Sequence, residues 1–224
     1  LQVRRGEIVG LTGATSSGRT AVGEAVAGLR RTTAGRILVS GRVLPPGDVG
    51  AALAHGVGCV PQDSHRHGLV PGQSIAENAT MTIMDRLGRF GFIAPSRRQA
   101  AALSAMRALD VAASGPQQAV SGLSGGNQQK VVMARALASE PDVLVLIDPT
   151  AGVDVKSRQA LLAVVEEERR QGRAVLLASS ELDDLRICDR VLVMSHGHVV
   201  AELARGWDDG ELIASMEGVS LHAH

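Results

Sequence analysis

The stretch Gly10–Thr20, "GLTGATSSGRT", decides how the rest of the chain is to be read. Taken as Gly13-x-x-x-x-Gly18-Arg19-Thr20, it is a phosphate-binding glycine loop in which arginine stands where lysine is usual. Taken as "TGATSSG", it is a candidate for the glycine-rich turn that binds a dinucleotide. Both turns set phosphate against backbone amides at a helix start, so the surrounding residues have to choose between them.

Composition chooses first. Short-chain dehydrogenases, which carry the second kind of turn, need a tyrosine whose phenol hands a proton to the substrate oxygen. The 224 residues contain no tyrosine at all. The glycine spacing fails as well, because four residues rather than three separate Gly13 from Gly18. The context, in contrast, suits a phosphate loop. "GEIVGLTG" reads as a short apolar strand entering the loop, and "TAVGEAVAGL" has helical spacing beyond it, with Ala21, Val22, Ala25 and Val26 expected on one face.

The remaining bulk properties exclude other classes. Lys+Arg 23 against Asp+Glu 23 leaves no net charge, so there is no electrostatic footprint for nucleic acid, and no nucleic-acid partner is expected. Cys59 and Cys188 lie far apart without CxxC spacing and read as buried thiols of a reducing compartment. No apolar run approaches the ~20 residues of a membrane span, and no signal-peptide pattern opens the chain.

Further apolar runs read as buried strands: "VGCV" (57–60), "VLVLI" (143–147), "AVLLA" (174–178) and "VLVM" (191–194). Helical stretches separate most of them, notably 155–170, with Leu161, Leu162, Val164 and Val165 inward. Strands alternating with helices predict a mostly parallel sheet covered on both faces. Residues 73–122 break the rhythm: they show helices and loops only, with a possible capping box at Ser96 and Gln99. The expected organisation is an α/β core over 1–72 and 123–217, an inserted helical subdomain over 73–122, and a frayed tail at 218–224.

A second motif, "LSGGNQQKV" (123–131), is more specific than the glycine loop. Ser124, Gly125 and Gly126 precede a helical run, and their small size lets backbone amides approach a phosphate. "VLVLIDPT", "AGVDV" and "ASSELDD" follow in order. Together these motifs resemble the nucleotide-binding domain of ABC transporters, over essentially the whole chain. "GRT", "VPQDSHRHGLV" (60–70) and "LSGGNQQKV" are most similar to the C-terminal half of the tandem ATPases that drive bacterial sugar importers. The resemblance implies a P-loop NTPase (RecA-like) core, ATP and Mg²⁺ as ligands, and an ATPase that couples nucleotide to sugar import at the cytoplasmic face of the cell membrane. It also implies three partners: a second nucleotide-binding half, integral-membrane permease subunits and, indirectly, a periplasmic or lipoprotein sugar-binding protein.

The resemblance carries roles over position by position. Gly13, Ala14, Thr15, Ser16, Ser17, Gly18, Arg19 and Thr20 match the Walker A loop, with Thr20 expected on Mg²⁺. Gln62 matches the Q-loop glutamine, expected near Mg²⁺ or water. Ser124, Gly125 and Gly126 are the signature, which in this family completes the ATP site of the opposite half. Asp154 matches the aspartate of the D-loop, which crosses between halves. Ser180 stands at the switch-histidine position.

Departures from the pattern carry most of the information. Pro149-Thr150 fixes the frame of the Walker B strand, where the pattern Asp-Glu-Pro-Thr becomes Ile147-Asp148-Pro149-Thr150. Isoleucine cannot coordinate a hard cation. Asp148, at the catalytic glutamate position, is one methylene short, and a one-residue slip would send it to the other face of the strand. Arg19 keeps the lysine's charge on a larger planar fork. These losses imply weak or absent hydrolysis at the chain's own site. No aromatic precedes Gly13 to carry an adenine ring, the first being Phe90, so a domain cut from a longer chain is expected. Two alternatives stay open at this point: a soluble ABC ATPase, and a structural or regulatory pseudo-ATPase that never engages nucleotide. His65 and His67 read as a solvated loop, "EEERR" (166–170) as a solvent-facing helix side, and His196, His198, His222 and His224 as surface residues.

Overall fold

The computed structural model describes residues 1–89 and 92–217; Phe90, the 218–224 tail, His222 and His224 lie outside the described residues. In chain order the elements are β1 (Ile8–Thr12), α1 (Arg19–Val26), β2 (Ile37–Val39), β3 (Arg42–Leu44), α2 (Val49–Ala54), β4 (Val57–Val60) and α3 (Ser64–His67). There follow α4 (Ile75–Thr80), α5 (Met84–Leu87), β5 (Gly88–Arg89), β6 (Phe92–Ile93), α6 (Pro95–Ala108), α7 (Gly125–Ala138) and β7 (Val143–Ile147). The chain continues through α8 (Val155–Arg170), β8 (Ala174–Ala178), α9 (Leu182–Leu185), β9 (Arg190–Ser195), β10 (His198–Ala204) and α10 (Asp209–Glu217).

The central sheet has the order β10-β9-β1-β8-β7-β4, parallel except for β10, which runs antiparallel to β9. Alternation along the parallel strands splits the core into two layers. Ile8, Leu144, Leu146, Val175, Leu177, Val191 and Val193 face one layer with residues of α7, α8, α9 and α10. Val9, Leu11, Val145, Ile147, Leu176, Leu192 and Met194 face the other, against α1, α2 and the β2–β3 hairpin. The five runs read as strands are strands, and helix 155–170 has the expected bounds, with Leu161, Leu162 and Val165 buried and Val164 partly so. The fold is a mostly parallel, P-loop type sheet with helices on both sides.

Several expectations are corrected. Within 73–122 a short antiparallel hairpin, β5–β6, interrupts the helices. The capping box is not at Ser96: Pro95 takes the first position of α6, Ala94 is the N-cap, and no side chain caps it. The reciprocal pair forms instead at Ser74 and Glu77, ahead of α4. On α1 the buried positions are Arg19 and Gly23, followed by the C-cap Ala27, rather than Val22 and Val26, which are only partly buried. The reason is close packing, since a Cβ on Gly23 would lie 2.9 Å from Ile147 Cγ1. His65 and His67 sit in the single turn of α3, capped by Asp63, not in a loop. "EEERR" is solvent-facing at Glu166 and Glu167, which pair with Arg170, but Glu168 is buried and paired with Arg173. Cys188 is buried and Cys59 is partly buried on β4; desolvation pushes the Cys59 thiol up to about 12 and raises the Cys188 thiol too, so neither cysteine is a thiolate near neutrality.

Helices α4 and α6 pack against α7, and a fully buried asparagine on α4 ties that helix to α7. Asn78 Oδ1 accepts from the Val70 N–H (2.8 Å) and from Arg135 Nη2 on α7 (2.7 Å). Its amide donates to the Val70 and Ser74 carbonyls. This network holds the last turn of α7 against α4 and the Val70–Ser74 segment.

Candidate functional site

Two glycines shape the loop between β1 and α1. Gly13 has φ 139° and Gly18 φ 95°, both in the region that side chains rarely adopt. A Cβ on Gly13 would also run into the Met194 carbonyl oxygen and the Ser17 side chain. Thr15–Ser17 form one 3₁₀ turn in which the Ser17 N–H donates to the Ala14 carbonyl (2.8 Å). The Gly197 N–H, in the β9–β10 turn, donates to the Ser17 carbonyl (2.9 Å) and braces the loop. Ala14, Thr15 and Ser16 are exposed, Ser17 is buried, and Thr20 is half-buried in the first turn of α1. A backbone cradle at a helix start, too tight for a side chain at Gly13, suits a phosphate group.

Three of the expected residues, Arg19, Gln62 and Ser180, converge on the carboxylate of a fourth, Asp148. Asp148 follows β7 directly with φ 45°, and its N–H donates to the Ala178 carbonyl at the end of β8 (2.7 Å). Asp148 Oδ1 accepts from Arg19 Nη1 (2.8 Å) and from the Ser180 N–H (3.2 Å). Asp148 Oδ2 accepts from Gln62 Nε2 (2.8 Å). The Arg19 and Asp148 side chains are only 5% and 9% exposed, the most buried ion pair among the described residues. Ile147 is fully buried in the layer beneath α1.

This arrangement does not fit Mg²⁺. The residue before Asp148 offers no oxygen, both Asp148 oxygens already accept hydrogen bonds, and Gln62 turns its amide nitrogen to the same carboxylate. No group of three or more His, Cys, Asp or Glu side chains among the described residues could hold a metal. The expectation of Thr20 and Gln62 as metal ligands therefore finds no carboxylate free to join them.

A second group of residues forms around the start of α7. Ser124 is its N-cap, exposed, with its hydroxyl accepting from Asn127 Nδ2 (2.9 Å). Gly125 faces open space: an added Cβ would meet nothing within 4 Å. Gly126, by contrast, is packed on the start of α8, where a Cβ would collide with Ser157 and approach Asp154. Asp154 caps α8, accepting from the Ser157 N–H (2.9 Å) and hydroxyl (2.7 Å), and the Ser157 hydrogen bonds hold its carboxyl below the usual range. Gln129 Nε2 donates to the Pro149 carbonyl (2.7 Å) and joins α7 to the segment after Asp148. Gln62, Asp148, Gly125, Gln129 and Gly152 line one cleft of about 370 Å³.

Sequence reasoning missed the buried support of this segment. Thr150 and Ser179 hydroxyls both donate to Asp184 (2.8 Å each), and all three side chains are fully buried. They tie the residue two places after Asp148 to the residue before Ser180. The only sequence signal was the acidic "ELDD" after the serines. Desolvation raises the Asp184 pKa above its ordinary 3.8 despite these bonds. Its folded pKa being raised, its stabilising contribution is complete below the unfolded value and is lost as pH rises through the folded one. The stability of the wild type relative to Asp184→Asn, from urea midpoints, is therefore expected to fall from acid toward neutral pH. A constant or rising difference would contradict this assignment.

Comparison with known proteins gives the family of the chain. The ABC transporter family matches residues 1–151. "Ribose import ATP-binding protein RbsA 2" of Rubrobacter xylanophilus is 43% identical over 208 residues, covering 92% of this chain and 40% of that protein. "Putative ribose/galactose/methyl galactoside import ATP-binding protein 3" of Agrobacterium fabrum is 40% identical over 205 residues, covering 91% and 41%. The chain thus spans about two fifths of the length of these curated relatives. Among solved structures, a dimeric ATP-binding cassette in a post-hydrolysis state with ADP and Pi superposes with a TM-score of 0.79 at 22% identity, over 92% of this chain and 89% of that one. A nucleotide-free ATP-binding cassette from an ABC transporter gives 0.79 at 18% identity, over 100% and 90%.

Proposed function

We propose, from the premise that the chain belongs to the ABC transporter family, that it is one ATP-binding half of a sugar importer whose own ATP site is degenerate. The observation that carries the degenerate part is the buried Arg19–Asp148 ion pair beside Ile147. Phosphoryl transfer rests on positioning and charge neutralisation by a bound cation and a water-orienting group. Here the acid at the water-orienting position is held by a guanidinium, a backbone amide and a glutamine, and the preceding position is apolar. The loop Gly13–Thr20 holds the phosphates of ATP, Arg19 supplies charge, and Asp148 serves weakly or not at all in hydrolysis.

The signature side is open for service. Ser124 and Gly125 are exposed at the start of α7, with room for a phosphate to approach the backbone. In the proposed assembly they complete the ATP site of a second nucleotide-binding half, with Asp154 at the crossing between halves. The names of the relatives support ribose or a related sugar as cargo. No helix among the described residues is long and apolar enough to cross a membrane, so passage of the sugar belongs to permease subunits against which this domain works on the cytoplasmic face. The test is co-purification from membranes of the polypeptide carrying this chain. Recovery with an integral-membrane permease is expected, and recovery only with soluble partners would contradict the reading.

A further inference from the structure

We propose that this site takes the triphosphate of ATP without a divalent cation, the Arg19 guanidinium fixed by Asp148 offering its remaining N–H donors to the phosphate oxygens where a metal would otherwise bind. The inference rests on the reading of the loop as an ATP site and goes beyond it. An ATP phosphate tail carries several negative charges, which a protein can neutralise with a carboxylate-held cation or with fixed guanidinium and amide donors.

The first route is closed at three places. Ile147 is fully buried and packed onto α1 at Gly23, leaving no wall for a hydrated ion, and Mg²⁺ gives up its waters reluctantly. Asp148 already has a cation, with Arg19 Nη1 at 2.8 Å. Gln62 and the Ser180 amide occupy two more acceptor sites of that carboxylate, so that both of its oxygens are engaged. The second route is built. Arg19 opens α1, an eight-residue helix, directly after the Gly13–Gly18 cradle. Its side chain is 5% exposed, and its Nε is buried with no hydrogen-bond partner among the described residues. A guanidinium cannot lose its proton in a protein and holds five donors in a fixed fork. With one nitrogen anchored on Asp148, it retains unused donors and a position that does not wander. The Asp148 carboxylate thus acts as a positioning residue for Arg19 rather than as a metal ligand.

Titration calorimetry of ATP into the 224-residue chain, once with Mg²⁺ and once with EDTA, tests this. Kd values that differ by less than about tenfold are expected, equivalent to under about 1.4 kcal/mol. A loss of about tenfold or more in EDTA would overturn the metal-free site while leaving ATP binding itself intact. Absence of binding in both buffers would overturn the inference together with the ATP-site reading. Arg19→Ala, with its fold checked by circular dichroism, is expected to weaken ATP by about tenfold or more in both buffers, and undiminished binding by a folded variant would also overturn it.

Discussion

Ser124→Arg is expected to abolish sugar uptake by the assembled transporter, while Arg19→Ala lowers it by no more than about threefold. The asymmetry follows from what each residue touches. Ser124 makes no capping bond to the α7 backbone, and its hydroxyl meets only Asn127, so the fold loses little when it is replaced. What changes is the surface: a long cation replaces an exposed hydroxyl beside Gly125, where open space now lets a phosphate reach backbone amides. In the proposed pairing that space receives the ATP of the competent half, so blocking it stops the working site. Arg19 lies in the site that the proposed function reads as degenerate. Removing it strips Asp148 of its guanidinium but leaves the Gln62 and Ser180 donors in place. The cost to folding should therefore fall below the ~3–5 kcal/mol of a wholly unpaired buried charge. Uptake of labelled sugar by cells carrying each variant is the measurement, and equal severity would contradict the division of labour between the two halves.

Much of the fold could be read from the sequence because the central strands are buried on both faces and appear as unbroken apolar runs. The elements that escaped are at edges or half in water. In the β2–β3 hairpin Leu38 and Val43 are exposed, and β10 is exposed along most of its length and shifts register between Val199 and Ala201, so neither shows a clear period. On α1 the apolar valines pointed to one face, but close approach to Ile147 reserves the tightest contact for Gly23. At α6, Pro95 with its fixed φ claimed the first helical position and displaced the Ser96 box.

The site divides in the same way. The glycine loop and its helix follow from local spacing, and the signature and D-loop were placed by resemblance. The convergence of Arg19, Gln62, Asp148 and Ser180 could not be read, because it depends on a contact between residues 129 positions apart in sequence. The loss of oxygen at position 147 was visible as an isoleucine. That Arg19 would turn to the remaining acid, and bury itself in doing so, emerges only from packing. The Thr150–Ser179–Asp184 network is similar: each residue is unremarkable in sequence, and burial makes the group.

The second large effect concerns chemistry at the chain's own loop. A water-orienting group that is misplaced commonly costs a factor of about 10² or more, and in the proposed reading that group is Asp148, shortened to aspartate and engaged by Arg19. The neighbouring carboxylate is absent altogether, its place taken by buried Ile147. These defects act on one transition state, so they compound rather than substitute for each other. Steady-state ATP turnover by the purified chain, wild type beside Asp148→Asn, is the most direct measurement of the claim that this site holds nucleotide without cleaving it. The expected result is a rate at least about 10²-fold below the 1–10³ s⁻¹ usual for enzymes, unchanged by the substitution. Turnover in the ordinary range that vanishes in Asp148→Asn would contradict the account.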